Sequence, residues 1–412
     1  MKKIEGFRCV ECAMECGLAD AKYICPRCRG NLSVVYDYNA LRKKFSRKSL
    51  KADAERSLWR YLDILPLAGR SGIPPVEVGW TPLYRARKLG EALGLKNLYV
   101  KDDGRNPSAS FKDRASAVIA ARAFENKEKT VAGASTGNAA ASLACMMASS
   151  ASKPVIFVPR TAPVAKLAQL LAYGAVVLRV DGTYDQAFDL CRLACDEFGW
   201  YNRNTGYNPF TREGKKTCAF ELCEQLSWRV PDYVFVSAGD GNILSGLWRG
   251  FSDFHALGLI DKRPKMVAVQ AAGSAAIARA WKDGRPIRPV SGKTLADSIS
   301  VSLPRDGAAA VAALNQSQGF AVTVSDREIL VAIRTLAQGA GVFAEPAGAA
   351  AYAGLAKCAA DGRVRGDDSA VIVVTGSGLK DVSSAMKAAG RPHDVGTGMD
   401  SVRRLVAREK IS

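Results

Sequence analysis

From Leu98 onward, short apolar runs alternate with stretches of helical character. The runs are Leu98–Lys101, Thr130–Gly133, Val155–Val158, Val176–Val180, Tyr233–Val236, Met266–Gln270 and Ala370–Val374. Between them lie Ala115–Phe124, Asn138–Met147, Ala165–Tyr173, Tyr184–Phe198 and a segment that starts after Asn242. Strands without polar alternation are covered on both faces, and strands joined through helices are parallel. The chain therefore reads as α/β, built on open parallel sheets. Its 412 residues allow two or three compact domains.

In open parallel sheets, ligands bind beyond the carboxyl ends of the strands. Four such ends carry polar or glycine-rich turns. Ala134-Ser135-Thr136-Gly137-Asn138 offers hydroxyls, backbone N–H groups and a helix start, a cradle for a carboxylate or phosphate. Gly239-Asp240-Gly241-Asn242-Ile243 opens a second helix, and its glycines let N–H groups approach a phosphate. Thr375-Gly376-Ser377-Gly378 follows a very apolar strand and puts a hydroxyl where a heterocycle nitrogen could meet it. Glu345, before Pro346, reads first as a helix cap.

One lysine, Lys112 in Ser110-Phe111-Lys112-Asp113-Arg114, falls at the start of an expected helix. The positive helix end disfavours a second positive charge there. The position suits an amine that is neutral or tied up as an imine, as covalent catalysis with pyridoxal phosphate requires. His255 and His393 stand isolated, which argues against a Ser-His-Asp hydrolase.

Five of the eleven cysteines occur in the first 28 residues. Cys9 and Cys12, then twelve residues, then Cys25 and Cys28 give two thiolate pairs suited to a closed, structural zinc site. The net charge of +18 is dispersed; its densest run, Arg42 to Lys51, reads as a solvated linker, and no basic stripe with interleaved aromatics supports nucleic-acid binding. An anionic small molecule fits the charge equally well. No apolar run reaches the roughly 18 residues of a membrane helix. Met1-Lys2-Lys3-Ile4-Glu5-Gly6 lacks the apolar core of a secretion signal, so a cytoplasmic location is expected.

With these motifs in this order, the chain resembles the fold type II pyridoxal-phosphate enzymes, and within them the threonine synthases. The likeness also covers Ser57-Leu58-Trp59-Arg60-Tyr61 and Gly79-Trp80-Thr81-Pro82-Leu83. It implies a zinc-ribbon-like module at 1–40, a large cofactor domain at 41–106 and 206–412, and a small mobile domain at 107–205. It implies that Lys112 carries the cofactor, with Phe111 near the ring and Asn138 at its 3′ oxygen. Gly239, Asp240, Gly241, Asn242 and Ile243 would hold the cofactor phosphate and Thr375 would face the pyridine nitrogen. Ser135 and Thr136 would take the substrate carboxylate. Lys101, Ser108, Ser110, Arg160 and Lys166 would take the substrate phosphate. The implied reaction turns O-phospho-L-homoserine and water into L-threonine and phosphate, in a homodimer.

Two stretches depart from the family pattern: Ser108-Ala109-Ser110 and Pro159-Arg160-Thr161-Ala162-Pro163-Val164-Ala165-Lys166. Both fall near the expected substrate phosphate. Cysteate synthase, which uses phosphoserine and sulfite, and an ammonia-lyase therefore stay open as alternatives. So does a zinc-ribbon binding protein built on a retired enzyme scaffold.

Overall fold

A computed structural model describes every residue except Met1, Lys2, Thr136, Thr161, Pro163 and Ser412, together with all side chains but those of residues 164–166. Three sheets organise it. The largest runs, edge to edge, Phe320–Val324, Lys265–Ala271, Tyr233–Ser237, Ser369–Val374, Asn97–Asp102 and Leu83–Arg85. All its pairs are parallel except the last, where Leu83–Arg85 closes an edge antiparallel to Asn97–Asp102. Helices cover both faces, so the central strands bury every residue: Tyr233–Ser237 has no exposed position. This is why their sequence does not alternate.

The second sheet is wholly parallel and runs Val176–Val180, Lys153–Pro159, Thr130–Ala134, Tyr201–Asn202. Each of these two sheets has a place where chain order reverses. In the large sheet it lies between Tyr233–Ser237 and Ser369–Val374, and in the small one between Thr130–Ala134 and Tyr201–Asn202. Neighbouring strands there send their loops apart and open a crevice. The loops at the two reversals are Gly239–Ile243, Thr375–Gly378, Ser135–Asn138 and Arg203–Thr205.

The third sheet is antiparallel: Glu15–Cys16, Ile4–Cys9, Leu32–Tyr36. Its buried face, Phe7, Leu32, Val34 and Tyr36, continues into the large domain's core. Tyr36 Oη donates to Glu213 at 2.7 Å and Tyr38 Oη to Asp253 at 2.6 Å, fixing the module to buried helices.

One expectation is corrected. The basic run from Arg42 to Lys51 is not a solvated linker. It folds into the short helices Tyr38–Arg42 and Arg47–Ala52, with Leu41, Phe45 and Leu50 buried beneath. Arg42 Nη2 donates to the Ala256 carbonyl at 2.7 Å and Arg47 Nε to that of Leu259 at 2.9 Å. Its charges hold the strap down at the C-terminal end of the helix Asn242–Ala256, where carbonyls lack helical partners. Among the described residues no helix is long and apolar enough to cross a membrane.

Candidate active site

Lys112 is the first residue of the helix Lys112–Glu125, three residues earlier than the apolar pattern suggests. Its amine faces the crevice between the two sheets. Burial lowers its pKa below that of an ordinary lysine; the Asp240 and Glu345 carboxylates oppose the shift and Arg203 adds to it. A lysine held toward its neutral form can act as nucleophile and as base.

Below it, the loop from Gly239 leads into the helix Asn242–Ala256. Gly241 has φ of +86°, and a Cβ there would stand 2.7 Å from that of Ala310, so only glycine makes the turn. Two backbone bonds pin the loop: Arg305 N–H to Asp240 Oδ1 at 3.1 Å, and Asp306 N–H to the Asp240 carbonyl at 2.9 Å. The result is a cup at a helix N-terminus, lined also by Lys215, Ser237 and Thr375. Ser237 Oγ is buried there without a hydrogen-bond partner. A buried orphan hydroxyl beside free helix N–H groups fits an anionic group such as the phosphate of pyridoxal phosphate.

Asn138 opens its helix on the small-sheet side and reaches across the crevice. Its Nδ2 donates to Glu345 Oε1 at 2.7 Å and to Ser298 Oγ at 3.3 Å. Glu345 stands at the N-cap position of the helix Pro346–Ala360 but makes no side-chain cap bond there. Its carboxylate points at the site instead, contrary to the cap reading. A cavity of about 330 Å³ opens above the cup, shares Lys112, Asn138, Thr205 and Asp240 with it, and adds Ser135 and Tyr184. Ser135 Oγ accepts from the Gly137 N–H at 3.1 Å.

The structure thus brings together Lys112, Asn138, Ser135, Gly239, Asp240, Gly241, Asn242, Ile243 and Thr375. Phe111 is fully buried next to Lys112 and lines neither cavity. The residues expected around a substrate phosphate are placed differently. Lys101 is fully buried, its amine bonded to Glu221, the Thr81 carbonyl and Gln225. Ser108 gives both its N–H and its hydroxyl to Asp113. Ser110 is buried outside the cavities, its Oγ unpartnered. Arg160 is exposed and pairs with Asp181 at 3.4 Å. Thr136 and the Lys166 side chain lie outside the described residues.

Two cations that the motif reading missed stand close by. Arg203 is 3% exposed, yet its hydrogen-bond partners are hydroxyls: Thr205 Oγ1 at 2.8 Å and Ser116 Oγ at 3.2 Å. Burial lowers its pKa to about 10. Lys215 is fully buried at the wall of the cup. One signal could have found Lys215. Arg212, Glu213, Lys215, Lys216 and Glu221 put five charges of both signs among the thirteen residues from Phe210 to Leu222, and charges that become buried there are stable only with partners.

In the N-terminal module, the four thiols of Cys9, Cys12, Cys25 and Cys28 lie within 4.8 Å of one another. The Sγ–Sγ separation is 3.4 Å for Cys9 and Cys28, and 3.7 Å for Cys12 and Cys25. A tetrahedron with metal–sulfur bonds of about 2.3 Å has edges of about 3.8 Å, so the cluster can hold a metal ion. The Cys28 backbone N–H leads in lowering the Cys25 pKa, while burial leads in raising that of Cys9 and, against the Gly30 N–H, neighbouring thiols raise that of Cys28, so of these three Cys25 is the thiol most ready to ionise.

Comparison with known proteins agrees with this geometry. Residues 76–376 match the family described as pyridoxal-phosphate dependent enzyme. A threonine synthase of Methanocaldococcus jannaschii is 39% identical over 97% of this chain and 98% of its own length. One from Methanosarcina acetivorans is 37% identical over the same shares. Among solved structures, the processed threonine deaminase isoform 2 of Solanum lycopersicum superposes with a TM-score of 0.65 at 24% identity, covering 75% of this chain and 87% of that one. Maize serine racemase does so at 0.62 and 21%, covering 83% and 96%. At that identity the structures show a shared fold. On the sequence matches, which span nearly the whole length, the chain belongs to the pyridoxal-phosphate dependent enzymes and, within them, to the threonine synthases.

Proposed function

We propose that this chain converts O-phospho-L-homoserine and water into L-threonine and inorganic phosphate. The observation that carries the reading beyond its relatives' names is Arg203. Among the described residues its hydrogen-bond partners are hydroxyls, and the Asp240 and Asp113 carboxylates do not offset the effect of its burial, so an anion that joins it lowers the cost. Its partner Thr205 lines both the cup and the cavity above it. Arg203 itself lines neither cavity and stands behind Thr205; in this reading Thr205 meets the departing phosphate and Arg203 backs it with charge, in place of the Lys101, Ser108 and Arg160 set.

Bound in the crevice, pyridoxal phosphate supplies an electron sink for charge that develops at the substrate's Cα. Gly239 to Ile243 would hold its phosphate, with Thr375 toward its nitrogen and Asn138 toward its 3′ oxygen. Lys112 would hold the cofactor, and its amine is placed to accept the Cα proton. The same amine is placed to handle the Cβ proton as phosphate leaves Cγ. A proton then returns to Cγ to complete the methyl group, water adds its hydroxyl at Cβ, a proton returns to Cα, and the third proton, from the water, leaves with the phosphate. Ser135 holds the α-carboxylate, on a loop whose approach to the large domain excludes bulk water. In this scheme the small sheet and its helices, within the segment 107–205, form the moving part, while the Lys112 helix stays tied to the large domain through Arg114.

The rival reading is an ammonia-lyase, since the tomato protein of the same fold is a threonine deaminase. Such an activity needs no receptor for a second anion. Incubation with O-phospho-L-homoserine is expected to give equal amounts of phosphate and threonine. Oxo-acid and ammonia as main products would sink the reading. Arg203→Met is expected to lower kcat/KM for the phosphorylated substrate by about 100-fold, the usual effect of removing a charged hydrogen-bond partner. Deamination of unphosphorylated threonine should change little. Equal losses for both substrates would assign Arg203 a structural role.

The four cysteines carry zinc in this reading. Metal analysis is expected to find about one zinc per chain, with chelation lowering Tm through loss of the Ile4–Tyr36 sheet. A zinc-free protein of unchanged Tm would refute it. A cytoplasmic homodimer completes the proposal; exposed Leu379, Val382 and Met386 support the dimer.

A further inference from the structure

Among the described residues, three lysines are completely buried: Lys101, Lys215 and Lys216. Two of them are paired. Lys101 meets Glu221 at 2.6 Å, and Lys216 meets Asp253 at 2.8 Å and also Glu213. Lys215 is different. Among the described residues it forms no ion pair, and its one hydrogen-bond acceptor is the neutral amide oxygen of Asn242. Asn242 is the first residue of the helix at the phosphate cup, and its Nδ2 donates to Asp306 at 2.7 Å. The lysine is held at the loop by close backbone packing. A Cβ on Gly246, one turn into that helix, would stand 2.8 Å from the Lys215 Cβ.

Burial is the largest influence on the Lys215 amine and holds its pKa well below the ordinary lysine value. The charges around it come from four elements. Lys112 and Arg203 also disfavour its ammonium form, while Asp306 and Asp240 favour it. A dianion in the cup changes this balance at once. It adds two negative charges where the nearest cations now repel one another.

We propose that Lys215 is a counter-cation kept in reserve for the cofactor's phosphate, and that seating this phosphate charges its amine by taking up one proton from solvent. The inference rests on the cofactor that the family assignment implies, and not on the identity of the substrate. In the protonated state the ammonium joins the backbone N–H groups of the cup. Selectivity for phosphorylated over unphosphorylated pyridoxal then depends on Lys215. The adjacent Lys216, already paired, contributes nothing to it.

The test compares pyridoxal phosphate with pyridoxal on full-length protein stripped of cofactor. Both react with Lys112, so their difference isolates the phosphate. Dissociation constants are read from the visible absorbance of the bound cofactor. Lys215→Met is expected to cut the preference for pyridoxal phosphate by about 10- to 100-fold, the range for a charge-assisted hydrogen bond. Pyridoxal binding, which reports an intact fold, should be retained. An unchanged preference would overturn the proposal.

A second measurement needs no variant. Titration calorimetry of the wild-type chain in buffers of different ionisation enthalpy counts protons. At a pH well above the phosphate's own second pKa of about 6, pyridoxal phosphate should take up close to one proton more than pyridoxal. Equal proton counts would overturn the coupling, even if Lys215→Met failed to fold.

Discussion

Lys112→Ala is expected to lower the rate of phosphate release from O-phospho-L-homoserine by more than about 10⁴-fold, while the chain keeps its fold and its melting temperature changes little. The size follows from the number of roles on one atom. Covalent attachment and each proton transfer by a placed base contribute about 10²- to 10⁴-fold, and the amine serves more than one step. Nearby groups make poor substitutes. Burial raises the Asp240 carboxyl, and Glu345 already accepts a hydrogen bond from Asn138. Lys215 lies at the wall of the cup with its amine turned to Asn242. Stability should be almost untouched because burial disfavours the charge on Lys112 in the folded chain, so removing it relieves the desolvation cost. Steady-state kinetics with a phosphate assay check the rate, and thermal melts check the fold. Residual activity within about 100-fold of wild type would remove Lys112 from the chemistry.

The same lysine shows what can be read from a chain before its structure is known. Its neighbours at the strand ends, Ser135, Asn138, Gly239 to Ile243 and Thr375, do converge on one crevice. Strand ends in parallel sheets share a side, so local sequence sufficed to gather them. The boundaries of the helices Asn138–Met147 and Tyr184–Phe198 were equally legible from the sequence pattern, and the structure adds a capping box between Thr183 and Gln186 at the start of the second.

The substrate phosphate set was not legible, for a physical reason. Lys101 also ends a strand, but its amine can point into the cavity or into the core. What decides is Glu221, 120 positions further along a helix that the strand pattern does not locate. Long-range ion pairs leave no local signature. Arg203 was missed for the converse reason: among the described residues its guanidinium has no carboxylate partner, and sequence cannot show a missing partner. The strap from Arg42 to Lys51 was misread because its three apolar residues, Leu41, Phe45 and Leu50, lie too far apart in a highly charged run to suggest a buried face.

The buried cluster that captures Lys101 should dominate acid stability. Arg114, two residues after Lys112, donates from Nε to Asp103 Oδ2 at 2.6 Å and from Nη2 to Glu221 Oε2 at 2.9 Å. Lys101 meets Glu221 at 2.6 Å, and Thr81 Oγ1 donates to Asp103 at 2.6 Å. All four charged side chains are fully buried. The cluster ties the end of the strand Asn97–Asp102 to the Lys112 helix and to the helix Thr217–Gln225. It therefore fixes the height of the Lys112 amine. Burial alone would raise the Glu221 pKa, but Arg114 and then Lys101 overcome it and hold the carboxyl down to about 2. A depressed carboxyl stabilises the fold above its unfolded pKa, and that contribution is lost as pH falls through the folded value. For Glu221 the window runs from the ordinary 4.5 down to about 2, and the contribution is about 3 kcal/mol. Glu221→Gln is expected to cost about 3–5 kcal/mol at pH 7, because it leaves two buried cations short of one negative charge. It should also flatten the acid limb, since the variant has no carboxylate to protonate. Urea unfolding at pH 7 and at pH 3 measures both effects. A loss below about 1 kcal/mol at pH 7, or an acid limb as steep as that of wild type, would show that the cluster is replaceable by neutral hydrogen bonds.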